Sequence, residues 1–75
     1  MAQEYRLDVR SLLIPQRFPT IFGKLGELAE GDSLLLINDF EPAPLFSELK
    51  SRGYSYESHQ IGQSEWHIKI IKSSS

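Results

Sequence analysis

Ser33-Leu-Leu-Leu-Ile-Asn38 sets four consecutive branched apolar residues between two turn-forming polar ones. A strand with one wet face alternates apolar and polar residues, so an unbroken run reads as a strand covered on both faces. Such a strand belongs in the middle of a sheet. The chain has 75 residues, enough for one domain built around that strand. A domain this small buries only about 60% of its unfolded surface. With no cysteine for a disulfide, packing must hold it together, with or without self-association.

The flanking segments supply neighbours and cover. Tyr5, Leu7 and Val9 alternate with Arg6, Asp8 and Arg10, the period of a strand with one buried face. Ser11 to Phe18 reads as a connecting bend, with Pro19 opening a helix because the residue before a proline avoids helical geometry. Ile21, Phe22, Leu25, Leu28 and Ala29 form the inner stripe of that helix, and Gly31 is expected to end it as a left-handed cap. Gly23 and Gly26 fall on its outer face, where each either simply weakens the helix or lets another backbone come close. A second helix is expected from Pro42, with Asp39 or Glu41 as N-cap, Leu45, Phe46 and Leu49 facing inward, and Gly53 as the stop. Tyr54 to Ser58 and Trp66 to Ile71 read as two further strands, joined by a loop from His59 to Glu65. Lys72 and Ser73 to Ser75 read as a polar tail with nothing to bury.

The expected order is β-α-β-α-β-β, an α+β chain in one domain over residues 1–75, ordered from about residue 4 to about residue 72. Right-handed crossovers put both helices on one face of a four-stranded mixed sheet, a two-layer α/β sandwich. The other face carries Arg6, Asp8, Arg10, Glu57, His67 and Lys69 with one apolar side of the central strand, so it is either solvated or part of a homodimer. His67 is expected to pair with Glu57 across that face.

Composition excludes several function classes. The net charge is −2, and the eight basic residues are scattered singly. Nucleic-acid binders cluster them on one face, so nucleic acid is a disfavoured partner. The absent cysteine removes thiolate nucleophiles and soft metal ligands together. No stretch approaches the roughly 18 apolar residues of a membrane helix, and MAQEYRLDV does not resemble a secretory signal. A cytoplasmic protein without cofactor is expected. His59 and His67 could meet across the last hairpin, but two ligands do not complete a zinc site.

If the first two strands are neighbours, Arg10 to Phe18 and Asn38 to Pro42 meet at one sheet edge, where open α/β sheets prefer to bind ligands. Two helix N-termini there, with Arg10 and Arg17, would form a modest anion site unless Asp39 and Glu41 already cap them. Ile14, Pro15, Phe18 and Phe40 would give the same edge an apolar lip beside Asn38 and Asp39. The aromatic pair serves either docking or plain packing, and exposure distinguishes the two.

Leu7-Asp8-Val9-Arg10-Ser11-Leu12, then Pro15, then Gly31-Asp32-Ser33-Leu34 and Asp39 resemble the TusA/SirA-like family of small sulfur carriers and regulators over almost the whole chain. That resemblance implies a Cys-Pro step at the start of the first helix. The cysteine's position is Ile14, so persulfide relay by this chain's own thiol is excluded. The chain is more similar still to a cysteine-less, uncharacterised bacterial branch of that family. The likeness is carried by Leu7 to Arg10, Arg17-Phe-Pro-Thr-Ile-Phe22, Asn38-Asp-Phe-Glu-Pro-Ala-Pro-Leu45 and Trp66 before Ile68 and Ile70. The resemblance implies histidines where Phe18 and Phe40 stand, and benzyl rings can neither bind a metal nor carry a proton. The expected function is a non-catalytic binding or regulatory module that docks a protein through Arg10, Ile14, Pro15, Arg17, Phe18, Asn38, Asp39 and Phe40. The alternatives are a small-molecule or anion site at the helix N-termini and a structural homodimer.

Overall fold

Leu34 to Ile37 lie in a strand with a neighbour on each side. The computed structural model describes residues 2–72, arranged as β1 (Glu4–Asp8), α1 (Ile14–Glu27), β2 (Ser33–Asn38), α2 (Ala43–Ser51), β3 (Ser55–Gly62) and β4 (Glu65–Ile71). The sheet order is β1-β2-β4-β3, with β1 parallel to β2 and the other two pairings antiparallel. The expected α+β sandwich, its element order and the central place of the apolar run are all observed.

The pleat sorts the side chains. Leu34 stands between Tyr5 and Ile70, and Leu36 between Leu7 and Ile68. That face meets Ile21, Leu25 and Leu28 from the first helical segment and Leu45 and Leu49 from α2, forming one core with Val9. Each fully buried leucine or isoleucine contributes about 2 kcal/mol, which a chain without disulfides relies on. Ile37 points to the opposite face and is nevertheless only 1% exposed. It lies in register between Asp8 and His67. A chain of polar contacts runs past it: Arg10 pairs with Asp8 at 2.7 Å and with Glu65 at 3.5 Å, and Glu65 lies 2.6 Å from His67 Nε2.

Several boundaries differ from the sequence reading. The first helix begins at Ile14, with Pro15 in its opening turn, and Pro19 lies inside it. Both prolines suit a helix start, and the core-facing series Arg17, Ile21 and Leu25 carries the helix through the second one. The price is one backbone bond, the one that an N–H at Pro19 would have made to the Pro15 carbonyl. Gly31 does have a positive φ of 90°, but the helix has already ended at Glu27. The glycine instead serves a turn closed by the Asp32 N–H donating to the Ala29 carbonyl at 3.0 Å. Gly53, at φ 83°, caps α2 as expected: its N–H bonds the Lys50 carbonyl and that of Tyr54 the Leu49 carbonyl.

At its other end α2 has no side-chain cap, and Pro42 is the residue before the helix rather than its first. The last hairpin is longer and tighter than expected. β3 runs on through His59 to Gly62 with a bulge after Gln60, leaving only Gln63 and Ser64 to turn. Lys72 is not part of a loose tail. Its Nζ donates to the Leu25 and Leu28 carbonyls at 2.8 Å each, satisfying the end of α1. Ser73 to Ser75 lie outside the described residues.

Candidate functional site

β1 and β2 are parallel neighbours, so the loops that leave them, residues 9–13 and 39–42, come together at one sheet edge. The link between them is Arg17. It projects from the first helix toward the core side and is only 7% exposed. Its Nε donates to the Leu12 carbonyl at 3.0 Å, and its two terminal nitrogens donate to the Arg10 carbonyl, Asn38 Oδ1 and both carboxylate oxygens of Asp39 at 2.7–3.3 Å. A guanidinium has five N–H groups, and these five bonds use them. Asn38, itself buried, passes the connection on by donating Nδ2 to the Phe40 carbonyl at 2.9 Å. Asp39 is held below the usual carboxylate range, first by its hydrogen bonds to Arg17 and then by the guanidinium charge.

On the sequence the two helix N-termini at this edge are either vacant or capped by Asp39 and Glu41. In α1, Pro15 has no N–H and that of Gln16 bonds the Leu13 carbonyl at 2.9 Å. In α2, Ala43 bonds the Glu41 carbonyl, Pro44 has no N–H, and Leu45 and Phe46 bond that of Pro42. Neither Asp39 nor Glu41 caps the helix; prolines and turn carbonyls do that work. An anion arriving here would have to displace Asp39 from Arg17. Among the described residues no concave pocket opens on the surface.

What the edge does present is apolar. Leu13 is 70% exposed, Ile14 56% and Phe40 42%. Pro15 is exposed beside them, and the Arg17 guanidinium lies 5.7 Å from the centre of the Phe40 ring. Phe18 does not join this rim. It is half-buried against the core and meets Phe22 edge-on at 6.3 Å between centroids. The two phenylalanines thus divide between packing and display. Leu13 escaped the sequence reading, although its position beside Ile14 in a proline-flanked bend was the available signal.

Arg10 faces the open side of the sheet and grips Asp8 through Nε and a terminal nitrogen. These hydrogen bonds, with the backbone N–H of Arg10, lower the Asp8 pKa to about 2. His59 and His67 do stand directly opposite each other on β3 and β4. Each has its own carboxylate, Glu57 at 3.9 Å and Glu65 at 2.6 Å, so His67 pairs along its strand and not with Glu57. Among the described residues no group of three potential ligands converges on a metal position, and no helix is long and apolar enough to cross a membrane.

No curated protein and no solved structure gives a significant match to the chain. Residues 6–72 match the family described as uncharacterized conserved protein (DUF2249). That span takes in β1 from Arg6 onward, all of β2, both loops and the Arg17–Asn38–Asp39 lock, and the chain belongs to this family.

Proposed function

We propose that this chain is a non-catalytic binding module that docks a protein through the rim formed by Leu13, Ile14, Pro15 and Phe40. The observation that carries the reading is the display of three large apolar side chains on a locked scaffold. A docking patch gains affinity from being preorganised, and the Arg17 clamp holds these loops in place. Asp39 and Arg10, both partly exposed, provide a charged margin around an apolar centre. The partner is a protein surface with its own apolar anchors.

The sequence likeness to TusA/SirA-like carriers supports the same edge, since Ile14 and Pro15 stand where those carriers have Cys-Pro. On this reading the fold has kept the carrier's contact edge and exchanged the reactive group for contact surface. On this reading the module works in the cytoplasm.

Titration of the isotopically labelled chain with a panel of candidate partner proteins tests the reading. The amides of residues 10–18 and 38–40 should shift, and Phe40→Ser, at an exposed position, should abolish the response without altering the circular dichroism spectrum. A response confined to the face of Arg6, Glu57 and Lys69 would refute it.

A further inference from the structure

We propose that a second copy of this chain pairs antiparallel with the free edge of β3, joining two sheets into one of eight strands. This surface is separate from the rim of Leu13, Ile14 and Phe40, and the inference does not depend on the docking reading.

β3 is an outer strand of eight residues, and among the described residues no loop or turn bonds to the backbone of residues 55–62. Exposed edges are ordinarily blunted by lysine, proline or inward charge. The other edge, β1, is five residues long and carries Glu4, Arg6 and Asp8 on alternate positions. β3 contains no lysine, arginine or proline, and its bulge comes only after Gln60. From Ser55 to Gln60 the pairing with β4 is regular, so the outer side is a straight template for another strand.

The register follows from the pleat. A two-fold axis perpendicular to the sheet keeps each face aligned with its equivalent, so the axis must pass through a residue and not between two. Centred on Glu57 or on His59, it would set like against like. Centred on Ser58, it sets Glu57 of each copy against His59 of the other, twice over, with Tyr56 opposite Gln60 at the margins. Glu57 and His59 are both well exposed and only loosely in contact with each other, at 3.9 Å within one chain. The same axis resolves a second feature. Ser58 Oγ is buried without a hydrogen-bond partner among the described residues, and in this register the two Ser58 residues stand directly opposite, the arrangement in which cross-strand hydroxyls pair.

Sedimentation velocity on the full chain from micromolar to millimolar concentration tests this. A reversible monomer–dimer equilibrium is expected. Glu57→Lys alone and His59→Glu alone should each weaken association at least tenfold, and the two substitutions combined should restore it, because the swap sets a lysine of each copy opposite a glutamate of the other. Amide exchange at residues 56–60 should slow as the dimer fills. Circular dichroism verifies that each variant is folded. A monomer throughout the range, association unmoved by either single substitution, or association lost on Phe40→Ser would overturn the proposal.

Discussion

Arg17 is a rim residue in sequence and an interior clamp in structure. Its five hydrogen bonds join the loop after β1, the end of β2 and the loop before α2. Removing the side chain leaves Asn38 Oδ1, the Arg10 and Leu12 carbonyls and the Asp39 carboxylate without their donor. Arg17→Ala should therefore cost about 3 kcal/mol, the range found when one side of a buried charged network is deleted, read as a lower urea midpoint. Arg17→Lys should recover only part, because one ammonium cannot reach acceptors that a planar fork serves together. An unchanged midpoint in the alanine variant would mean that water replaces the clamp without loss. The sequence marks Arg17 as charged and close to Asp39, and that much was legible. Its inward turn was not, because it depends on two loop carbonyls converging, and carbonyl directions leave no trace in residue types. Phe18 and Phe40 illustrate the same limit. Once α1 is known to begin at Ile14, Phe18 falls one turn before Phe22 on the core side, while Phe40 lies in a loop with no helical phase to turn it in.

Element identities were legible because periodicity is set by which face is buried, and that is written along the chain. Element ends were less so. Pro15 and Pro19 both carry a helix-start signal, and only tertiary packing of the Arg17, Ile21 and Leu25 stripe decides between them. Asp39 reads as an N-cap and is taken instead by Arg17. The long β3 was hidden by His59, Gln60 and Gly62, polar or flexible residues acceptable at a sheet edge. The glycines of α1 stand in open space within the chain: a Cβ at Gly23 or Gly26 would meet nothing within 4 Å. Each is in an exposed helix, where alanine is better than glycine by about 0.8–1 kcal/mol. Gly23→Ala and Gly26→Ala should each raise the melting temperature by roughly 4 °C or more for a domain of this size, without touching the rim or the β3 edge. A fall in melting temperature for either would show that α1 needs its glycines for close approach to another chain.

At the scale of the molecule, one apolar strand dictates the layers, and three carboxylates tie their corners. Asp8 is bonded by Arg10 at the end of β1. Asp32 accepts the N–H groups of Gln3 and Ala29, fastening the chain before β1 to the turn before β2. Asp39 receives Arg17 across the site edge. All three are held below the ordinary carboxylate range by those hydrogen bonds, Asp8 to about 2. A carboxyl whose folded pKa lies under its unfolded value near 3.9 stabilises the fold fully above that value and loses its contribution as pH falls through the folded pKa. From these groups, stability should hold from neutral pH down to about 4 and then decline toward about 2, the window bounded by the unfolded value and by Asp8. Urea midpoints measured across that range check this. Asp32→Asn should flatten the decline, since its amide oxygen can still accept from one N–H but no longer titrates. A chain that grew more stable on acidification below about pH 4 would contradict the assignment, because it would require carboxyls that prefer to be protonated in the folded state.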